Sequence, residues 1–252
     1  MPIKMIVTDL DGTLLHDDKT ISDYTMRVFR QCRARGIKVV YATARGNSAK
    51  ELAPCELFDG FVRMNGAKAF IGDTPVYSKM FHVKQLRAFL RAAGDAGLNI
   101  VAVSDGARYA NYDATALWPR APQYERVDFD CLNVEVEKLY TIIEKPQTLA
   151  LLKQCLPNGL YLFASAHDGF VMVTHEDATK PKAVAALATH WCIAPGEIVA
   201  FGDDLNDLDM LRFAGKGVAM ANAVDKVKQI ADERCGSNEN DGVARWLEEN
   251  LL

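Results

Sequence analysis

The chain has 252 residues, of which 49% are hydrophobic and 25% are charged, and its formal net charge at pH 7 is −4. A chain of this length can bury a sizeable core. Its mildly acidic balance lacks the basic footprint of a nucleic-acid-binding protein and does not suit an anionic membrane surface, so neither is expected as a partner.

The start of the chain, its apolar stretches and its cysteines indicate where in the cell the protein is expected. The start of the chain reaches polar Thr8 and Asp9 too early for the apolar region of a signal peptide, and no apolar stretch is long enough to span a bilayer. The six cysteines are scattered without a CxxC pair, which argues against zinc and favours reduced thiols. We expect a cytoplasmic protein that is a monomer or a weak homo-oligomer.

The first third of the chain alternates between strand and helix patterns. Ile3–Leu10 is a β-branched apolar run typical of a buried parallel strand, and Ser22 can cap a helix that ends near Gly36. The segments that follow are a strand at 37–43, a weaker helix at 47–57, a strand at 60–64 and a hairpin at 68–78. This alternation predicts βαβ units and a parallel sheet.

The middle of the chain has a different order of elements. These are a helix at 83–96, strands at 100–103 and 134–143, a helix at 148–156, and a hairpin of strands 160–166 and 170–174 that turns at His167-Asp168-Gly169. A helix followed by paired strands, twice, predicts an antiparallel α+β unit. Its least regular part contains Tyr109, Tyr112, Trp118 and Arg120, each best explained singly as ordinary core or surface.

The last third returns to the first pattern, with helices at 182–191, 205–213 and 243–251 and strands at 198–201 and 217–220. The predicted fold class is therefore α/β, with a Rossmann-like parallel-sheet core and an inserted α+β domain. The predicted boundaries assign 1–81 and 177–252 to the core and 82–176 to the insertion.

Two carboxylates stand at the end of the first predicted strand, in Thr8-Asp9-Leu10-Asp11-Gly12-Thr13-Leu14. On an extended chain Asp9 and Asp11 share a face, and Gly12 lets the chain turn away at the carboxyl edge of the sheet, where ligands bind. Asp and Gly are also common at plain turns. The apolar strand before them and the Gly-Thr after them favour a functional interpretation.

Two further segments can bind an anion. Thr43-Ala44-Arg45-Gly46 ends a predicted strand, and its hydroxyl, backbone N–H groups and guanidinium suit phosphate oxygens. Lys180 follows Thr179 at a helix start, where a lysine opposes the helix dipole unless an anion is near. Taken singly, a surface arginine and a solvated lysine explain these residues equally well, and Lys182 is the nearest competitor of Lys180.

An acidic cluster, Gly202-Asp203-Asp204-Leu205-Asn206-Asp207, follows the strand predicted at 198–201. Mg²⁺ prefers hard oxygen ligands, and the cluster has more carboxylates than one helix N-cap requires. If the strands are parallel neighbours, all four segments lie along one edge of one sheet. The sequence therefore predicts one shared site for a divalent cation and a phosphate.

These motifs resemble the haloacid dehalogenase-like superfamily of phosphotransferases, and in particular its Cof-type branch with a large α+β cap. TDLDGTL, ATAR, Lys180 and GDDLND stand in the family's order, and Val218–Ala223 and Ser237–Ala244 are also similar to that branch. The resemblance implies a Mg²⁺-dependent phosphatase for a small phosphorylated metabolite, such as a sugar phosphate or a phosphorylated cofactor. The cap would close over the site and select the substrate.

The resemblance also implies roles for single residues. Asp9 would be the nucleophile that forms an aspartyl-phosphate, and Asp11 the general acid and base, protonated at the first step because of anionic surroundings. Thr43 and Lys180 would hold phosphoryl oxygens. The implied metal site consists of Asp9, the backbone carbonyl of Asp11, Asp203 and, behind them, Asp207. The implied substrate contacts are Gly12, Ala44, Arg45 and Asn206.

Two positions depart from the family pattern. Ala44 replaces the glycine of ATGR, and because alanine resists positive φ the loop is expected to be set differently; Pro181 stands where glycine is usual. Two other functions remain open. One is a phosphomutase, which returns the phosphoryl group to a sugar, and the other is a regulator that binds a phosphorylated metabolite without turnover. The presence of all four motifs counts against the regulator, whereas phosphate release without a bisphosphate activator would distinguish the phosphatase from a phosphomutase.

Overall fold

The structure is a computed structural model that describes residues 2–113, 124–143, 145–164 and 170–252. Its internal contacts divide the chain into two compact units, Met1–Ser78 with Ala178–Leu252, and Lys79–Asp177. Within the described ranges, no helix is both long and apolar enough to cross a membrane. The predicted fold class is confirmed, whereas the limits 82–176 for the insertion stay a prediction.

The strands of the described residues are numbered in chain order. They are β1 (Met5–Thr8), β2 (Lys38–Ala42), β3 (Gly60–Arg63), β4 (Lys68–Ile71), β5 (Thr74–Ser78), β6 (Phe81–His82), β7 (Ile100–Ser104), β8 (Ala107–Ala110), β9 (Glu125–Arg126), β10 (Glu135–Val136), β11 (Lys138–Ile142), β12 (Leu160–Ala164), β13 (Phe170–His175), β14 (Ile198–Gly202), β15 (Lys216–Ala219) and β16 (Glu233–Arg234).

The α-helices are numbered in the same way. They are α1 (Asp23–Ala34), α2 (Ala49–Leu52), α3 (Arg87–Asp95), α4 (Pro146–Gln154), α5 (Lys180–His190), α6 (Leu208–Phe213), α7 (Asp225–Ile230) and α8 (Gly242–Leu251).

The first unit is built on an eight-stranded sheet in the order β16-β15-β14-β1-β2-β3-β4-β5. The strands from β16 to β3 run parallel, and the hairpin of β4 and β5 adds an antiparallel edge. The chain proceeds from β1 to β2 on one side and from β14 to β15 on the other. The order therefore switches between β1 and β14, the place where open α/β sheets form ligand crevices.

The helices of this unit are stabilised by burial of an apolar face and by capping of their ends. In α1, Val28, Phe29 and Cys32 are fully buried, so one face of the helix packs into the core. The predicted N-cap is confirmed, because the Oγ atom of Ser22 accepts a bond from the Thr25 N–H at 3.0 Å. α1 packs against α8, and α5 packs against β3, β4 and β5.

The second unit contains a six-stranded sheet in the order β12-β13-β11-β7-β8-β9 and a small antiparallel pair of β6 with β10. All neighbours in the larger sheet except β8 and β9 are antiparallel, as predicted for the insertion. Phe89 and Leu90 of α3 and Leu152 of α4 share its core with apolar side chains from β7, β11 and β13. This unit therefore has a hydrophobic core of its own.

Several predicted elements differ from the structure. The helix expected at 47–57 is limited to α2 and a 3₁₀ turn at Cys55–Leu57, because Pro54 cannot continue a helix. The strand expected at 134–143 is two strands, since β10 pairs with β6 whereas β11 pairs with β7 and β13. Tyr109, assigned to the least regular part, lies in β8. The turn at 167–169, Trp118 and Arg120 lie outside the described residues.

Candidate active site

The switch between β1 and β14 brings three predicted site segments to neighbouring strand ends. Asp9 follows β1, Thr43 follows β2 and Asp203 follows β14, and β1 pairs in parallel with both β2 and β14. The backbone N–H of Asp9 donates to Phe201 O at 3.0 Å, which joins the ends of β1 and β14. The segments therefore lie side by side along one edge of the sheet.

Lys180 lies between two carboxylates. Its Nζ atom is 2.6 Å from Asp9 Oδ1 and 2.6 Å from Asp207 Oδ1, and all three side chains are buried. Lys180 is the first residue of α5, followed by Pro181, and its N-cap Thr179 makes no side-chain capping bond. The lysine that opposes the helix dipole is therefore held by two anions.

Asp207 also organises the loop after β14. Its Oδ2 atom accepts bonds from the backbone N–H groups of Asp203 at 3.1 Å and Asp204 at 3.2 Å. The absence of a side chain at Gly202 permits this approach, because a Cβ there would stand 2.5 Å from Asp207 Cβ. Because both of its carboxylate oxygens accept hydrogen bonds, Asp207 is suited to hold Lys180 and the loop after β14 in position. Its predicted place in the metal site stays a prediction.

Gly12 and Thr13 set the position of Asp203. The Oγ1 atom of Thr13 donates to Asp203 Oδ1 at 2.6 Å. Gly12 has a φ of 75°, and a Cβ at this position would overlap the Asp203 carboxylate. Glycine is therefore required by both conformation and space. The predicted contact of Gly12 with substrate stays a prediction.

Burial and mutual repulsion shift the pKa values of this cluster. Burial raises the pKa of Asp9 to about 7, although the Lys180 ammonium opposes the shift. Burial also raises the pKa of Asp203 to about 6, against the bond from Thr13. Burial alone would lower the pKa of Lys180, but the carboxylates of Asp9 and Asp207 outweigh it and raise that pKa. The cluster therefore has an excess of carboxylates over cations.

Asp11 has cationic neighbours, and the predicted anionic surroundings are wrong for this residue. Arg45 Nη2 lies 2.6 Å from Asp11 Oδ1, Arg45 Nε bonds Asp11 Oδ2, and Lys19 Nζ lies 2.9 Å from Asp11 Oδ1. The Arg45 bond, against partial burial and with help from Lys19, lowers the pKa of Asp11 to about 2. The carboxyl is therefore ionised at neutral pH in this arrangement.

The loop after β2 is bonded to the loop after β3. The Oγ1 atom of Thr43 accepts from the Arg45 N–H at 3.1 Å, and Thr43 O accepts from the Asn65 N–H at 3.0 Å. Ala44 is not among the described residues with positive φ. Alanine therefore stands in this loop without the backbone strain that its replacement of glycine suggested. The substrate roles of Thr43, Ala44 and Arg45 stay predictions.

Residues 64–66 belong to the site, and sequence analysis missed them. Met64, Asn65 and Gly66 have φ of 52°, 54° and 101°. Asn206, for which the resemblance implies a substrate contact, donates from Nδ2 to Asn65 Oδ1 at 3.1 Å. The Asn-Gly dipeptide directly after a strand is the turn signal that could have found this segment.

The carboxylates fit a divalent cation. Asp9, Asp203 and Asp207 each offer an oxygen, and these oxygens lie within 4.8 Å of one another. Hard carboxylate oxygens are the protein ligands of Mg²⁺, and a cation would offset the burial and the mutual repulsion that raise the pKa values of Asp9 and Asp203. These residues could therefore hold the ion.

Comparison with known proteins gives the family. The model of the haloacid dehalogenase-like hydrolases matches residues 6–247. The chain belongs to this family. Among its relatives is the 5-amino-6-(5-phospho-D-ribitylamino)uracil phosphatase YbjI of Escherichia coli, 29% identical, with 100% of this chain and 97% of YbjI covered. YitU of Bacillus subtilis, a phosphatase named for the same substrate, is 28% identical, with 97% of this chain and 96% of YitU covered.

Solved structures of phosphatases from this superfamily are similar to this chain over nearly its whole length. BT1666 of Bacteroides thetaiotaomicron, a phosphatase of the haloalkanoate (HAD) superfamily, superposes with a TM-score of 0.85 at 25% identity and covers 98% of this chain and 95% of its own. The sugar phosphatase BT4131, of HAD subclass IIB, gives a TM-score of 0.79 at 26% identity, with 98% of both chains covered. The predicted haloacid dehalogenase-like membership and phosphatase activity are confirmed.

Proposed function

We propose that this phosphatase hydrolyses a small phosphomonoester through a phosphoryl group carried on Asp9, with Mg²⁺ in the site. The observation that carries the proposal is the position of the Lys180 ammonium, 2.6 Å from both Asp9 and Asp207 in a buried cluster beside Asp203. A buried carboxylate close to a fixed cation and a candidate metal site is suited to attack a phosphorus atom whose oxygens carry negative charge.

The first half-reaction transfers the phosphoryl group to the enzyme. A carboxylate oxygen of Asp9 attacks phosphorus in line, the bond from phosphorus to the ester oxygen breaks, and the alcohol leaves with a proton from Asp11. Lys180 and the Thr43 hydroxyl donate to phosphoryl oxygens. The Thr43 oxygen already accepts from the Arg45 N–H, so its hydrogen can point to the ligand.

The proton on Asp11 requires a change at Arg45. In the present arrangement Arg45 and Lys19 keep Asp11 ionised. A bound phosphate dianion competes with Asp11 for the guanidinium. Loss of that contact and the negative charge of the nearby phosphate both raise the pKa of Asp11, so the carboxyl can take up a proton from water before the alcohol leaves. The predicted contact of Arg45 with substrate and the predicted acid role of Asp11 are thereby linked.

The second half-reaction releases phosphate. A water molecule attacks phosphorus, Asp11 accepts a proton from that water, and the bond between phosphorus and the Asp9 oxygen breaks to regenerate the carboxylate. The products are the free alcohol and inorganic phosphate. Asp9, Asp203 and the Asp11 carbonyl would hold the Mg²⁺ ion, with Asp207 behind them. When bound, the ion supplies charge stabilisation for the phosphoryl oxygens.

The substrate is proposed to be a sugar phosphate or a phosphorylated cofactor. Relatives that cover nearly the whole chain are named as phosphatases of a phosphoribitylamino compound, and one solved neighbour is a sugar phosphatase. We also propose a cytoplasmic location and a monomer or weak homo-oligomer, in line with the mildly acidic charge of −4.

The test is phosphate release by wild type, Asp9→Asn and the matched control Asp204→Asn, with and without Mg²⁺. Asp204 is exposed in the same acidic loop, where it caps the Leu205 N–H at 2.7 Å. We expect Asp9→Asn to lose at least about a thousandfold in kcat and to bind substrate still, and the control to remain active. Wild-type rate in Asp9→Asn would refute the nucleophile. Phosphate release that needs a bisphosphate activator would indicate a phosphomutase.

A further inference from the structure

We propose that Asn222 is a positioning residue for the metal site, because it joins the turn after β15 to the turn that follows Asp11. The proposal rests on the proposed Mg²⁺ site. It concerns the separation of two loops, the one that carries Asp11 and the one that carries Asp203, which we call the acid-bearing loops. Asn222 Nδ2 donates to Gly12 O at 2.7 Å. In the sequence, Asn222 stands out only as part of Val218–Ala223, a stretch similar to the Cof-type branch.

The turn at 220–224 contacts both acid-bearing loops. On one side, the N–H of Met220 donates to Gly202 O at 3.1 Å, and the N–H of Val224 donates to Asp203 O at 2.9 Å. On the other side, the Asn222 carboxamide contacts Gly12. One short turn therefore spans the loop that carries Asp203 and the loop that carries Asp11.

A second asparagine holds Asn222 in orientation. Asn222 Oδ1 accepts from the Asn238 N–H at 3.1 Å, so the amide nitrogen of Asn222 is directed to Gly12. Asn238 is 4% exposed, and its own Nδ2 donates to Leu15 O at 3.1 Å and to Asp17 Oδ1 at 3.0 Å. The two carboxamides thus bind the turn at two carbonyls, Gly12 and Leu15.

The turn that they hold lies directly against Asp203. Gly12 is left-handed and stands directly against the Asp203 carboxylate, and Thr13 donates to that carboxylate at 2.6 Å. The Gly12 carbonyl lies one residue after the carbonyl of Asp11, which is a proposed metal ligand. A shift of this turn would therefore move the Asp11 carbonyl relative to Asp203 and change the cation site directly.

Asn222 is exposed, in contrast to Asn238. Removal of an exposed carboxamide takes little from the core, so the global stability of the metal-free protein is expected to change little. A purely structural residue would lower the metal-free Tm and leave the intrinsic affinity for the cation as it is. Loss of a positioning residue weakens the affinity for the cation and leaves the metal-free Tm near the wild-type value.

The experiment is calorimetric titration of the metal-free full chain with MgCl₂, together with its metal-free Tm, for wild type, Asn222→Ala and Asn240→Ala. Asn240 is the matched control, because it is also exposed and shares the 3₁₀ turn of Asn238, but its Nδ2 donates to Ser237 Oγ at 2.9 Å rather than to an acid-bearing loop. For Asn222→Ala we expect a Kd for Mg²⁺ about tenfold higher, with a near-native Tm. The control should match wild type.

The outcomes separate the two proposals. Wild type that binds Mg²⁺, with Asn222→Ala at the same Kd, overturns the positioning role and leaves the proposed function standing. A raised Kd together with a lowered metal-free Tm would mean that Asn222 contributes to folding, and this result also overturns the positioning role. Wild type that neither binds nor requires Mg²⁺ overturns the proposed function and this inference with it.

Discussion

Arg45 and Asp11 form a two-point ion pair, in which Nη2 of the arginine lies 2.6 Å from Oδ1 of the aspartate and Nε bonds the second oxygen. The pair joins two residues with different expected partners: Arg45 was assigned to the phosphate and Asp11 to the leaving group. Their direct contact means that ligand binding and proton transfer compete for the same guanidinium.

Replacement of Arg45 by Met should raise the pKa of Asp11 and lower activity. The Arg45 bond is the main cause of the low pKa of Asp11, about 2, so without it the pKa should move up toward the ordinary value near 3.9. Loss of a charged hydrogen bond to phosphate should reduce kcat/KM roughly ten- to hundredfold. The pKa is measured by ¹³C NMR of the Asp11 carboxyl, and an unmoved pKa would contradict the assigned cause.

Replacement of Lys180 by Met should both destabilise and inactivate the protein. It leaves Asp9 and Asp207 as buried carboxylates without their cation, which typically costs about 3 to 5 kcal/mol. Because burial already raises the pKa of Asp9 to about 7, protonation relieves the repulsion, so the loss should be larger at pH 8 than at pH 5.

The control for this variant is Lys182→Met. Lys182 is exposed and is the residue that the sequence leaves as the competitor of Lys180. Urea unfolding and phosphate release should show near-native values for Lys182→Met. Equal losses in the two variants would mean that the electrostatic assignment is wrong.

Replacement of Gly66 by Ala should disturb the start of α5. Gly66 has a φ of 101°, and a Cβ there would overlap the backbone of Thr179, next to Lys180. Gly72→Ala is the matched control, because Gly72 also has positive φ, 57°, but nothing lies within 4 Å of the added Cβ. We expect about 1 kcal/mol of destabilisation for the control, from conformation alone, and clearly more for Gly66→Ala, with loss of activity. Similar Tm values for the two variants would refute the clash.

Replacement of Asp241 by Asn should cost stability in a pH-dependent way. Asp241 Oδ1 accepts from Ser22 at 2.5 Å and Thr25 at 2.9 Å and lies 3.2 Å from His16 Nε2. Burial raises the pKa of Asp241, but these bonds outweigh it and lower the pKa below its ordinary value. A depressed folded-state pKa stabilises the protein above the unfolded pKa, near 3.9, and this contribution disappears as pH falls through the folded value.

We therefore expect Asp241→Asn to lose about 1 to 2 kcal/mol at pH 7 and a smaller amount at pH 3. Urea denaturation at the two pH values measures the difference. A loss of equal size at both would show that the charge of Asp241 makes no contribution.

Much of the site could be predicted because strand ends are local signals. Apolar runs marked β1, β2 and β14, and polar residues directly after them marked the edge where Asp9, Thr43 and Asp203 meet. Lys180 could be singled out because a lysine at a helix start is unfavourable without an anion. Short elements such as α7, in which Val227 alone is buried, carry too little apolar periodicity to be predicted.

By itself, the sequence determined the alternation of strands and helices, the position of each acid at a strand end and the family pattern, since these depend on neighbours along the chain. Tertiary structure alone decided that Arg45 bonds Asp11, that Asn206 bonds Asn65 and that Asn222 holds Gly12. These partners are 34, 141 and 210 residues apart. Hydrogen bonds and ion pairs between exposed or half-buried side chains leave no periodic pattern in sequence, because their geometry is set only when distant loops are brought together by the packed sheet.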